Sequence, residues 1–497
     1  KSFICDPNPL SQERTSKIIF TIPGSEIIQT ILITQKASVS SEPCITSFVF
    51  EADKNPQLLI SDIVATINKD GTISAHVPYV LPHKQLIPTI KLDNEKTWVK
   101  VPENMEGLNF SSPLNITIEN TEGKTKEYKV LVYAFTGLPV MYINTENDTE
   151  ITSKEEYVNA HLRIVEDIYT RSGEIFESDV TIKGRGNSTW SLPKKPYALK
   201  FDKKTSLLGE PKDKSWVLLA NYTDKTNLRN EASFFMGRIS NLEWTPRTHF
   251  VELFMNEVYC GTYQLCEKIK IDDGYLMEID QPDRIGPEDI SFKTKNLTFC
   301  VKDPDIEKNG ERHKWISDYV NKAEEALLGS NFLDETEGYA NYFDKVSFVD
   351  WYLINEITKN NDACFSSCYL NITPGGKLKM GPLWDYDIAL GNVNYNDNQS
   401  YEGFWIKKKV TWFSRMFEDP SFVALVKERF AYFKSKENDM LTNINENATY
   451  LKFSVIENNA KWNTLYEQTW PNYNEVQYLK QWLSKRLAWL ESAFSEL

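Results

Sequence analysis

The sequence predicts an α+β protein: an all-β sandwich over residues 1–135, followed by an α+β region over 136–497 whose second half is rich in helix. Three observations carry this prediction. Short runs that alternate apolar and polar residues crowd the first 135 positions, and apolar stripes at helical spacing dominate from about residue 311. Between those stripes, two acidic clusters, Asn360-Asn361-Asp362 and Asp385-Tyr386-Asp387, bracket a short hairpin pattern.

In the first region, residues 45–51, 72–77, 114–119 and 126–133 each place apolar side chains at every second position, as a strand with one buried face requires. Asp70-Gly71 is a hairpin-turn signal. About seven such strands fit an immunoglobulin-like sandwich, and residues 15–35 add one or two more. Nothing here gathers catalytic side chains. Residues 136–150 read as a link into the second region.

Beyond the link, strands are expected through 161–168 and 178–186, then the loop 183–190, then a strand over Tyr197–Phe201. Residues 228–238 have helical spacing, with Asn227 as a cap. Strands over 250–255 and 259–267 form a hairpin about Asn256-Glu257. Helices are expected near 311–328, 344–358, 420–435 and 475–495.

Composition excludes several function classes. A net charge of −14 and a pI near 5.1 argue against nucleic acid or an anionic membrane as the main partner. No run approaches 18 consecutive apolar residues, so no transmembrane segment is expected. The opening Lys1-Ser2-Phe3-Ile4-Cys5, polar by Asp6, does not read as a signal peptide. Seven cysteines form no CxxC pair and show no zinc spacing with the five histidines, so they read as small buried residues rather than disulfides. No Gly-x-Ser-x-Gly supports a serine hydrolase.

The acid–hairpin–acid outline suits phosphoryl transfer, in which one carboxylate accepts a hydroxyl proton and another holds a divalent cation on phosphate. Asp362 follows an amphipathic helix through a turn favoured by Asn360 and Asn361, and is the candidate base. Asp385, with Asp387, could present hard oxygen ligands to Mg²⁺. A backbone cap is the plainer role for any single one of them.

In the loop after the second strand, Gly184 and Gly186 would let backbone N–H groups approach phosphate oxygens, with Arg185, Asn187 and Ser188 alongside. The loop matches neither the Walker A nor the kinase glycine pattern, and an ordinary tight hairpin is the alternative. Lys200, inside a strand, could hold phosphates with Glu231 as its helix partner, or could simply face solvent. Lys194 and Lys195, beside Pro193 and Pro196, are its rivals. Glu267 ends a strand where a connection facing the adenine would begin, and a surface salt bridge is its alternative role.

At these residues the sequence resembles the CotH kinase family, the spore-coat-type atypical protein kinases. The resemblance runs in order through residues 183–190, 194–201, 218–230, 251–267, 360–362 and 384–392. It implies a kinase-like two-lobed domain over 136–497, with an N-lobe at about 150–270 and a C-lobe at about 271–497. It further implies ATP, Mg²⁺ (or Mn²⁺) and transfer to Ser or Thr hydroxyls of a protein substrate. By position, Asp362 matches the catalytic-loop aspartate, Asp385 the metal-binding aspartate and Lys200 the nucleotide lysine. One departure is clear: Ser367 stands where a metal-binding asparagine is expected, with Asn371 further on and Asp387 or Asn392 as substitutes.

The N-terminal sandwich resembles modules of secreted and surface proteins of gut Bacteroidetes. That implies an extracytoplasmic home, with the leader absent from this numbering, and a surface protein or glycan as a further partner. The competing reading is a catalytically weak pseudokinase or surface scaffold. Residues 393–400 are polar and read as a mobile loop near the site.

Overall fold

The computed structural model describes residues 13–21, 28–36, 42–56, 62–78, 86–106, 108–110, 112–165, 175–406, 411–462 and 474–497. The described chain falls into two compact units, one up to Thr136 and one from Gly137 onward.

The first unit is built of strands. A hairpin pairs β1 (Arg14–Thr21) with β2 (Ile28–Gln35). Then come β3 (Ile45–Phe50), β4 (Ile63–Val64), β5 (Thr66–Ile67), β6 (Thr72–Pro78), β7 (Thr89–Leu92), β8 (Thr97–Val101), β9 (Leu114–Asn120) and β10 (Thr125–Phe135). They form a five-stranded sheet, β5-β6-β10-β9-β8, and a three-stranded sheet, β4-β3-β7. One core joins both sheets: Phe48 and Phe50 from β3 meet Ile73, Ala75, Ile116, Ile118, Tyr128 and Val130 from the larger sheet. Those positions are the alternate residues of each strand, which is why the period-two pattern was legible. Gly71, at φ +87°, turns β5 into β6, while the Asp70 carboxylate accepts from Thr72 N at 2.8 Å.

The second unit begins with a closed seven-stranded barrel. Its strands are β11 (Val140–Thr145), β12 (Val158–Val165), β13 (Ile175–Gly184), β14 (Tyr197–Thr205), β15 (Asp213–Leu219), β16 (Thr248–Met255) and β17 (Val258–Glu267). The helix α1 (Arg229–Arg238) interrupts them after β15. Residues 140–145, read from sequence as part of a link, are instead the strand that closes the barrel, antiparallel to β12 and parallel to β16. Alternation sorts β15: Trp216 and Leu218 fill the barrel, whereas Val217 and Leu219 join the helical core outside it. The hairpin at Asn256-Glu257 takes positive φ at both residues (47° and 61°), the backbone that a two-residue turn between twisted strands prefers.

From β17 the chain enters an antiparallel sheet of β18 (Tyr275–Ile279), β19 (Ser291–Lys293), β20 (Thr298–Asp303), β21 (Cys368–Ile372) and β22 (Lys379–Met380). Helices α2 (Glu311–Leu328), α3 (Lys345–Thr358), α4 (Thr411–Met416), α5 (Pro420–Ser435), α6 (Glu437–Tyr450), α7 (Lys452–Trp462) and α8 (Glu475–Ser495) complete the unit. The helix-rich half is therefore as expected, with α4, α6 and α7 added. Every residue of α3 from Ser347 to Thr358 is buried, so this helix is the axis of the core. Asp344 caps its N-terminus through Ser347 N, and Lys359 ends it in the left-handed conformation. None of the described helices is long and apolar enough to cross a membrane.

The cap expected of Asn227 is not made. The Asp224 carboxylate takes the Arg229 N–H at 2.7 Å and the Thr226 hydroxyl takes Leu228 N at 3.1 Å, so the start of α1 is closed from further upstream. The described cysteines are all free thiols; Cys5 lies outside the described residues.

Candidate functional site

A cleft of 380 Å³ lies within the second unit, and both acidic clusters open onto it. Its upper wall is the turn between β13 and β14, where Arg185, Gly186, Asn187 and Ser188 line the space. The glycines serve that turn in different ways. Gly186 adopts φ +87°, and Gly184 leaves room for the Trp190 ring to fold back onto the strand end. Lys195 holds the turn closed by donating to Trp190 O at 2.6 Å. Arg185 lays its guanidinium over the Trp384 ring at 5.3 Å, tying the turn to the residue before Asp385.

The lower wall is the segment around Asp362. Its backbone is fixed on three sides. Lys359, buried, donates to the carbonyls of Asp397, Ser400 and Glu402 at 2.9, 2.8 and 3.0 Å. Trp405 Nε1 donates to Asn360 O at 2.7 Å, and Asn361 Nδ2 to Ile388 O at 2.9 Å. The stretch 393–400, expected to be mobile, is thus anchored to the end of α3, since Asn398 also donates to Lys359 O at 2.7 Å. No described residue hydrogen-bonds the Asp362 carboxyl.

Asp385 stands after β22 at φ +65° and accepts from Ser367 Oγ at 3.1 Å. The Asp387 carboxylate accepts from the Thr223 hydroxyl. All three acids are held in less charged form than usual. Burial raises Asp362 to about 8, with further contributions from Asp385 and Asp387, against the pull of Arg284. Burial also raises Asp387, with Asp385 next, and it raises Asp385 against the opposing charge of Arg185. Mutual repulsion of carboxylates is what a hard divalent cation would relieve, and oxygen donors suit Mg²⁺. Among the described residues no three His, Cys, Asp or Glu side chains converge as a ready-made metal centre, so such an ion would draw further ligands from water or phosphate.

A polar cluster that sequence reasoning had not assigned fixes the acid strand from the barrel side. Asn230 Oδ1 accepts from Tyr386 N at 2.7 Å, and Arg229 Nε donates to Ala389 O at 3.1 Å. Asn392 Nδ2 bridges Thr223 O and Asp387 O at 2.8 and 2.7 Å, which holds its amide beside the acid strand. Arg229 pairs with Asp224, both buried. The available signal was the density of Asn, Thr and Asp just ahead of a helix that opens with arginine. Asn371 lies away from the cleft and donates to Gly381 O at 3.1 Å.

Three expected participants are elsewhere. Lys200 lies on the outer face of β14, exposed, with its ammonium 5.8 Å from the Tyr157 ring and beside His161 and Asp179. Strand alternation explains it: Leu199 and Phe201 take the barrel interior, so Lys200 must point out. Glu231 cannot be its partner, because it binds Arg238 of its own helix and accepts from Thr248 Oγ1 at 3.0 Å. Glu267 forms a two-pronged pair with Arg247 at 3.0 and 2.6 Å and lines a separate pocket. In place of Lys200, Lys302 lines the cleft, paired with Glu278 at 2.9 Å. Lys194 also reaches the cleft wall but is fully buried, donates to Asn458 Oδ1 at 2.8 Å, and is pushed down to about 7 by burial.

The family described as CotH kinase protein matches residues 182–490. A second family, described as SGBP, N-terminal, matches residues 45–132. No curated protein matches the chain. One solved structure, a "putative glycoside hydrolase" from Bacteroides thetaiotaomicron, aligns at 13% identity over 55% of this chain and 87% of its own, with a TM-score of 0.20.

Proposed function

Because the chain belongs to the CotH kinase protein family, we propose that it transfers a phosphoryl group from ATP to Ser or Thr hydroxyls of a protein substrate. The observation that carries this reading is the meeting of Asp362, Asp385 and Asp387 with the Gly186 turn on one cleft. Bound ATP supplies the transferable group, and Mg²⁺ (or Mn²⁺) offsets charge on its oxygens. Asp385 and Asp387 would hold the cation. Arg185, Lys302 and the backbone N–H groups of the 186–188 turn would orient the phosphates.

Asp362 is the base that takes the acceptor hydroxyl's proton. No described residue hydrogen-bonds its carboxyl, and its raised pKa keeps it a stronger base than a surface aspartate, nearer to neutrality, where general bases work best. Ser367 orients Asp385, while Lys359, Trp405 and Asn361 keep the Asp362 backbone in place.

The two-sheet N-terminal unit is read as the immunoglobulin-like module of residues 1–135, and the barrel and helical half as the two lobes of residues 136–497. The match to SGBP, N-terminal, supports an extracytoplasmic, surface-associated protein with a protein or glycan partner for that module. A second reading, a non-catalytic surface scaffold, is favoured by Ser367 in place of asparagine.

Calorimetric titration of ATP with and without Mg²⁺, on the protein and on Asp385→Ala, separates the two. Micromolar Mg²⁺-dependent binding that the variant loses supports transfer. A folded protein that binds no nucleotide leaves the scaffold.

A further inference from the structure

Asp362 belongs to two cavities. Behind the cleft already described lies a second groove of 670 Å³, and the two share Asp362, Ile388 and Tyr395. The groove differs in character from the cleft. Of its described lining residues, Asp362 alone bears a charge; the others include Phe365, Tyr395, Trp405 and the amides of Asn361 and Asn396. The cleft, by contrast, carries Arg185, Arg284, Lys302, Glu278 and the three aspartates.

Two large rings flank the base at the groove mouth. Phe365 is 45% exposed and Tyr395 48% exposed. Phe365 is held there rather than loosely solvated. Its N–H donates to Asp362 O at 2.8 Å, its carbonyl accepts from Gln281 Nε2 at 2.9 Å, and the Arg284 guanidinium lies 5.1 Å from its ring. Tyr395 lines both the groove and the cleft, and burial, with the charges of Asp362 and Asp387 next, raises its phenol pKa. Half-exposed aromatic rings beside Asp362 expose apolar surface that a ligand can cover.

We propose that this groove is the acceptor subsite, and that it selects a peptide Ser or Thr flanked by uncharged, apolar residues packed against Phe365 and Tyr395. The proposal rests on the phosphoryl-transfer reading and adds what that reading leaves open, the class of acceptor sequence. Continuity of the two cavities at Asp362 lets the residues flanking an acceptor lie in this groove while its hydroxyl enters the cleft between Asp362 and the phosphate. Apart from Asp362, and Arg284 against one face of Phe365, the groove offers a flanking residue apolar rings and neutral amides, so apolar flanks gain most from burial there. Rings open on one side fit an extended segment better than a small enclosed metabolite.

The test is an oriented library of peptides, each with a single Ser or Thr, incubated with the full protein, ATP and Mg²⁺, with nucleotide affinity measured in parallel. Peptides carrying Leu, Phe or Pro beside the hydroxyl are expected to be the best acceptors. Phe365→Ala is expected to raise KM for them about fivefold and erase the preference, with ATP affinity unchanged; Phe365→Leu should recover part of the selectivity. Tyr395→Ala should act in the same direction. Preference for charged flanks, or equal selectivity in Phe365→Ala, overturns the proposal. ATP binding with no peptide acceptor also overturns it while leaving the nucleotide site standing. Absence of nucleotide binding removes both this proposal and the reading beneath it.

Discussion

The Ser367 hydroxyl donates a 3.1 Å hydrogen bond to the carboxylate of Asp385. The residue that replaces the expected metal-binding asparagine therefore acts on the neighbouring acid. Ser367→Ala should weaken Mg²⁺-dependent ATP binding by about tenfold, the worth of one hydrogen bond to a charged group. Calorimetry at fixed Mg²⁺ checks this. Because Ser367 is only half-buried, thermal stability should change little.

Asp362→Asn should lower phosphoryl transfer by about 10²–10⁴-fold, the usual contribution of a positioned base, with ATP affinity within about threefold of the parent. It should also raise the melting temperature of the nucleotide-free protein, because one member of a mutually repelling group is gone. Single-turnover assays and calorimetry read the first effect, and thermal denaturation the second.

The three cleft acids give the protein a characteristic pH dependence. Their folded pKa values lie above the ordinary carboxylate range, so between about pH 4 and pH 8 the folded state binds more protons than the unfolded chain. Their contribution to stability must then fall as pH rises through that window. A bound cation removes the repulsion. Mg²⁺ should therefore raise the melting temperature more at about pH 8 than at about pH 5.5, and Asp385→Asn should abolish that difference.

Lys200→Ala should leave nucleotide binding unchanged, because the side chain lies on the outer barrel face beside Tyr157. Lys302→Ala should weaken binding by about tenfold through loss of a cation from the cleft wall. Paired titrations of the two variants test which lysine serves the phosphates.

Why the sequence reading placed Lys200 near the cleft and did not single out Lys302 is a matter of range. The strand holding Lys200 was legible because alternation is local, but which face of it meets the cleft depends on barrel closure between β11 and β16, more than a hundred residues apart. Glu278 is the one charged residue of β18 and Lys302 stands next to Asp303 at the end of β20, and only the pairing of these strands brings the two together. The acids fared better, since helix, turn, hairpin and Asp385 follow one another directly in sequence. Their roles remain tied to the titrations above.

The anchoring of Lys359 to three carbonyls has a further consequence. In enzymes governed by an activation segment, ordering that segment is the controlled step, and its entropy is charged to the signal that orders it. Here the loop beside the base is ordered when the helical half folds, through a lysine that solvent barely reaches. Under the phosphoryl-transfer reading, such a centre would start preassembled, with little reorganisation left for the moment of reaction. Throughput would then follow the supply of nucleotide, cation and acceptor, as in a constitutive catalyst.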